Sequence, residues 1–242
     1  DNDVDIIAET VYDAVGNVQE TYDMQGNVHF TGYDALNRPE KTVRFASNLD
    51  YLAVNGADDD YPIATAPDAD FIEETEYDTM GRVQSTTRLV ENRVQGDEEQ
   101  KTYYVYDNLD RQVRTVANYV PQGSTIPVDW VWNETSQQWE DGAGLEISHG
   151  DNNDQNQVVE TIYNVDGRVQ STIDINRQQT YSVYDGMGRQ ILTVANYDPT
   201  GAANSPEQWL WLNNQWEDGA NNAINHGDDN DRNIITQTTY DP

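Results

Sequence analysis

The sequence predicts an all-β fold, in which antiparallel β-hairpins repeat along the chain and stack or spiral into a sheet. Three features carry that expectation. No segment sustains the 3.6-residue apolar period of an amphipathic helix, turn-forming Asp, Asn and Gly recur throughout, and short runs rich in Val, Ile, Thr and Tyr lie between them. Hydrophobic residues make up only 36% of the 242, so burial falls to the 15 Tyr, the 6 Trp and the Val and Ile set between polar neighbours. That is the pattern of strands with one face in water.

The shortest repeat is the dipeptide Tyr-Asp: Tyr12-Asp13, Tyr22-Asp23, Tyr33-Asp34, Tyr77-Asp78, Tyr106-Asp107, Tyr184-Asp185 and Tyr240-Asp241, with Tyr163-Asn164 as a variant. Five residues after the Tyr stand Arg38, Arg82, Arg111, Arg168 and Arg189, while the two earliest copies carry Asn17 and Asn27 there. Gly16, Gly26, Gly81, Gly167 and Gly188 come immediately before that position. Each part has a physical reason. A strand arrives on a half-buried Tyr, the Asp accepts backbone N–H bonds in an Asx-type turn, and Gly supplies the positive φ of a tight reversal. The segments "RVQST" at 82–86 and 168–172 and "RQILTV" at 189–194 read as returning strands. The Arg lies within reach of the Asp or a neighbouring acid and serves register more than raw stability.

A longer period overlies the short one. "YDNLDRQVRTVANY" at 106–119 returns as "YDGMGRQILTVANY" at 184–197, and "HGDNNDQNQVVETIYN" at 149–164 returns as "HGDDNDRNIITQTTYD" at 226–241. With "DNDVDIIAETVYD" at the amino terminus in the same frame, the chain divides into three repeat units, 1–76, 77–162 and 163–242, each carrying an insert. The opening without an initiator Met reads as a processed product or a segment of something longer.

The pattern Tyr-Asp-x-x-Gly-Arg followed by a β-rich stretch resembles the YD repeat, or Rhs repeat, of bacterial Rhs and wall-associated proteins, toxin-complex components and teneurins. That resemblance implies a long antiparallel sheet of successive hairpins, winding as a spiral and building shells, tubes or stalks outside the cytoplasm.

All six tryptophans fall in two inserts, "VDWVWNETSQQWEDG" at 128–142 and "EQWLWLNNQWEDG" at 207–219. Both read as hairpins, the second turning on Asn213-Asn214, and the i, i+2 spacing sets Trp130 with Trp132, and Trp209 with Trp211, on one face. Three roles stay open for these four and for Trp139 and Trp216. They cover their own repeat, anchor a neighbouring subunit, or form a platform for sugar rings of surface glycans. Asn133-Glu134-Thr135 also spells a glycosylation sequon, a weak signal alone.

With 44 acidic and 13 basic residues the net charge is -31. Nucleic acid and anionic membrane surfaces are disfavoured as partners, and no apolar run is long enough to insert in a membrane as a helix. Cations are not disfavoured. Asp1 and Asp3, Asp151 and Asp154, and Asp228, Asp229 and Asp231 are spaced as oxygen ligands for calcium, the one cofactor the sequence suggests, although no loop closes on a distal Glu; solvated turns are the competing reading. Nothing points to an enzyme. His149 and His226 are repeat-equivalent, His29 stands apart, Cys is absent, and carboxylates are too abundant for any pair to be singled out as a catalytic dyad. The expectation is an extracellular or cell-surface structural protein. It builds a fibre, stalk or surface layer by head-to-tail association with copies of itself or with adjoining repeats of a longer chain. The alternative is a carbohydrate-binding adhesion module using the Trp hairpins.

Overall fold

A computed structural model describes residues 9–24, 27–44, 71–90, 98–121, 125–148, 154–199, 202, 204–225 and 231–241. Gly26, His149, His226 and five of the acidic residues considered for calcium (Asp1, Asp3, Asp151, Asp228 and Asp229) lie outside them. Strands follow in chain order: β1 (Glu9–Tyr12), β2 (Val18–Tyr22), β3 (Val28–Tyr33), β4 (Pro39–Arg44), β5 (Phe71–Tyr77), β6 (Val83–Val90), β7 (Glu98–Tyr106) and β8 (Gln112–Ala117). Then come β9 (Val131–Asn133), β10 (Gln138–Glu140), β11 (Gln157–Tyr163), β12 (Val169–Ile173), β13 (Gln179–Tyr184), β14 (Gln190–Ala195), β15 (Leu210–Leu212), β16 (Gln215–Glu217) and β17 (Ile234–Gln237). Helix among the described residues is limited to single 3-10 turns at Pro127–Asp129 and Pro206–Gln208. No helix among them is long and apolar enough to cross a membrane.

The chain forms two compact units, residues 1–104 with 117–148 and residues 105–116 with 149–242. In the first, β1 to β7 pair antiparallel, each with the next. In the second, β8, β11, β12, β13, β14 and β17 are neighbours in that order. Because hairpins follow one another, alternate turns fall at the same end of the strands. The turns at residues 13–17, 34–38 and 78–82 share one end in the first unit, and those at 164–168 and 185–189 share one end in the second.

Side-chain alternation then makes two unlike faces. On one face of the second unit Tyr181, Val183, Leu192 and Val194 are buried under Trp209, Trp216 and Ile224 of the insert. Their neighbours Thr180, Ser182 and Thr193 face the other way and are only half-buried. In the first unit Val28, Val43 and Ile72 form a smaller core with Phe30 and Tyr22.

Candidate functional site

The Tyr-Asp turns share one geometry. The Asp N–H donates to the carbonyl of the residue four later, as in Asp34 to Arg38 and Asp185 to Arg189, both 2.9 Å. Its Oδ1 accepts the N–H groups two and four residues on, and Oδ2 takes the arginine Nε at 2.7–2.8 Å in Asp34–Arg38, Asp78–Arg82, Asp107–Arg111 and Asp185–Arg189. These bonds hold the carboxyls of Asp34, Asp107 and Asp185 below their ordinary value. The leading cause is the Arg38 and Arg189 backbone N–H for Asp34 and Asp185, and the Arg111 side chain for Asp107. Where Asn replaces Arg, the amide does the same work: Asn17 and Asn27 donate Nδ2 to Asp13 and Asp23 Oδ2. Asn164 keeps the backbone bonds, yet its amide is not the acceptor of Arg168, which turns to Asp166 at 3.2 Å instead. The position before the Arg has positive φ in every described copy that has an Arg. It is Gly81, Gly167 or Gly188 in three, and Asn37 and Asp110, which tolerate that conformation, in two.

The arginine also reaches the next hairpin. Its guanidinium lies over the following motif ring at 4.1 Å for Arg38 on Tyr77, 4.5 Å for Arg111 on Tyr163, 5.9 Å for Arg168 on Tyr184 and 4.6 Å for Arg189 on Tyr240. The tyrosine hydroxyl closes the contact by donating to the carbonyl of the residue after that arginine: Tyr77 to Pro39, Tyr163 to Gln112, Tyr184 to Val169, Tyr240 to Gln190, at 2.7–3.0 Å. In these four cases the arginine and the next motif tyrosine form a clasp between successive hairpins. Gly188 suits its turn because its φ is +82°, and a Cβ there would also displace the Arg168 guanidinium.

Each turn also presents an apolar tip. Val15, Leu36 and Met80 in the first unit, and Leu109, Val165 and Met187 in the second, are all strongly exposed. Taken singly, exposed apolar residues are ordinary; the signal is that five of these stand two residues after the motif Asp, while Val165 stands one residue after Asn164.

The inserts divide the tryptophans. Trp130 is 1% exposed and stacks on Tyr119 (5.9 Å), which stacks on Tyr103 (5.2 Å); Trp209, Tyr197 and Tyr181 repeat the ladder at 5.8 and 5.2 Å. Burial raises the hydroxyl pKa of all four tyrosines. Trp139 and Trp216 are buried too, each meeting its cross-strand partner, Trp132 or Trp211, edge to face at 5.8 and 5.7 Å. Trp132 is half-buried and Trp211 is 50% exposed, flanked by exposed Leu210 and Leu212. Trp130 and Trp209 precede their strands at the end of a 3-10 turn, so the i, i+2 spacing does not make equivalent neighbours of Trp130 and Trp132. The sequon Asn133 has its Oδ1 on the Thr135 and Ser136 N–H groups and its Nδ2 on Glu140.

Of the acidic stretches, Asp154 and Asp231 are described and exposed, and no group of three or more His, Cys, Asp or Glu converges among the described residues. The repeat-equivalent Asn156 and Asn233 of these stretches are buried, at 1% and 3% exposed, and Asn233 accepts the Asp198 N–H and donates to the Asp198 and Asn225 carbonyls, pinning both ends of the second insert. Asp141, Asp174 and Asp218 cap turns in the same way without a preceding Tyr.

No protein-family model matches the chain, and no curated protein does. Among solved structures it is similar to a chain of the TcdB2-TccC3-Cdc42 crystal structure at 16% identity and TM-score 0.37, over 86% of this chain and 9% of that one. It is also similar to a chain of the Photorhabdus luminescens Tc holotoxin pore, at 13% identity and TM-score 0.34, over 78% of this chain and 11% of that one. A third neighbour, TcdB2-TccC3 without its hypervariable C-terminal region, has 17% identity and TM-score 0.35, over 78% and 8%. The chain spans about a tenth of the length of these neighbours.

Proposed function

We propose that this chain is a structural building block of an extracellular fibre, stalk or surface layer that assembles by self-association. The observation that carries the reading is the row of exposed apolar turn tips. Within the first unit Val15, Leu36 and Met80 stand on successive hairpins at one end of the strands, about 10 Å apart at two strand spacings per hairpin. Scattered apolar residues need no partner, but a regular file of them on so acidic a chain forms an edge suited to another copy with the same period. The outermost strands β1 and β17 each have a neighbour on one side only among the described residues, and strand edges of that kind are ordinarily paired or protected.

Sedimentation of the 242-residue chain over a range of protein and salt concentrations, with negative-stain microscopy, tests this. Salt screens the -31 charge over about 10 Å at 0.1 M, so assemblies should grow with salt and be lost in the variant Leu36→Glu/Leu109→Glu/Met187→Glu. Monomers under every condition oppose the reading. One observation favours a second reading, a carbohydrate-binding adhesion module: Trp211, half exposed between Leu210 and Leu212, offers an aromatic face. Glycan binding lost in Trp211→Ala would support it.

A further inference from the structure

We propose that Met80 and Met187 are oxidation sites, at which a neutral hydroperoxide turns an apolar turn tip into a polar one and so dissolves the self-association built on those tips. The chain has three methionines and no cysteine, so these thioethers are its only sulfur. All three stand in Tyr-Asp turns and are open to solvent, Met24 at 61%, Met80 at 70% and Met187 at 80% exposed. Their places differ. Met80 and Met187 lie two residues after the motif Asp, and each unit's file of tips holds one of them: Val15, Leu36 and Met80 in the first unit, Leu109, Val165 and Met187 in the second. Met24 follows Asp23 directly, in the turn from β2 to β3, which falls at the opposite end of the strands from the turns at 13–17, 34–38 and 78–82. It is a built-in control, equally open to oxidant but outside the file.

The step balances with the peroxide alone. A sulfur lone pair attacks one peroxide oxygen, the S–O bond forms as the O–O bond breaks, the sulfur gives up two electrons, and the departing hydroxide takes the remaining peroxide proton and leaves as water. At these exposures no opening of the fold is needed for the oxidant to reach the sulfur. The net charge of -31 repels anionic oxidants but leaves hydrogen peroxide unhindered. Met and Met sulfoxide are similar in length and opposite in character, since the S=O group is a strong acceptor that holds water. One oxidised member therefore interrupts the apolar file of its unit, which Val and Leu at the other tips cannot do, and reduction of the sulfoxide restores it.

The inference rests on the self-association proposed above. The full chain is treated with hydrogen peroxide, oxidation at each methionine is followed by peptide mass spectrometry, and assembly is followed by sedimentation at high salt. In the unassembled chain all three methionines should react within about threefold of N-acetylmethionine amide, whereas in assemblies Met80 and Met187 should react about tenfold more slowly and Met24 should not. Association should weaken by about tenfold or more as Met80 and Met187 become sulfoxides, with an unchanged circular dichroism spectrum, and recover after treatment with methionine sulfoxide reductase. Met24→Leu should leave that response as it is in the parent. Slow reaction at Met80 and Met187 in the unassembled chain, a response that follows Met24 instead, or loss of the β spectrum on oxidation overturns the inference. Assemblies that persist after both tips are fully oxidised overturn it and leave self-association standing, and an untreated chain that stays monomeric under every condition removes self-association and the switch with it.

Discussion

Truncating the two tryptophans of the second insert, Trp209→Ala and Trp211→Ala, should give very unequal losses of stability. Trp209 is 4% exposed, stacks on Tyr197, packs with Leu192 and Val194, and donates its ring N–H to the Asn204 carbonyl at 2.9 Å. A buried Trp removes about 150–250 Å² from water, which at about 25 cal/mol per Å² is about 4–6 kcal/mol as an upper bound. Large-to-small core changes at Trp cost about 3–5 kcal/mol, so about 4 kcal/mol is expected for Trp209→Ala. Trp211 leaves half its surface in water and its main described contact is the edge of Trp216, so about 1–2 kcal/mol is expected. Urea unfolding followed by far-ultraviolet circular dichroism measures both, provided the slope is common to all three proteins, and hydrogen exchange assigns the loss to the second unit. Costs equal within about 0.5 kcal/mol would refute the division of the tryptophans into a cover for the sheet and an exposed remainder.

Three further outcomes are expected. Asn164→Asp puts a carboxylate at the motif position, beside an Arg168 whose described ion pair is with Asp166 at 3.2 Å, so the urea midpoint should rise, and a fall would contradict the role given to the Asp–Arg bond. Asn233→Ala removes three bonds from a buried side chain and places Ala at φ +49°, which should cost about 2–3 kcal/mol and speed hydrogen exchange across residues 198–225; unchanged exchange there would contradict the pinning role. Tyr103, Tyr119, Tyr181 and Tyr197 are raised above 10.0 in the folded state by burial. Their contribution to stability is therefore complete below pH 10 and lost as pH climbs through the raised values, so in an ultraviolet titration they should ionise last, together with unfolding.

The hairpins were legible in the sequence because their turns are local: Asp, a positive-φ residue and Arg or Asn all lie within five positions and bond to one another. The partner of the arginine was not legible. It is the tyrosine of the next hairpin, 39 residues on for Arg38 and Tyr77 and 16 for Arg168 and Tyr184, because inserts of different length separate strands that end up side by side. Asp141, Asp174 and Asp218 were missed for a related reason. The cap needs the Asp and the residues after it, so a search keyed on Tyr-Asp passes over turns whose preceding residue is Glu or Ile. Within each i, i+2 tryptophan pair the settings differ, since Trp130 and Trp209 cap 3-10 turns whereas Trp132 and Trp211 sit within strands. In the acidic stretch, Asp231 drew notice by its charge, whereas the buried position belongs to the neutral Asn233.

That Tyr-Asp is an architectural clasp is tested most directly by a double-mutant cycle on Arg111 and Tyr163, two residues of one unit whose guanidinium and ring lie 4.5 Å apart. Urea unfolding of Arg111→Ala, Tyr163→Leu and the double variant gives the coupling free of what each side chain does alone. A favourable coupling of about 0.5–1 kcal/mol is predicted, with a smaller one for Arg168 and Tyr184 at 5.9 Å. Additive losses within about 0.3 kcal/mol at Arg111 and Tyr163 would contradict the clasp.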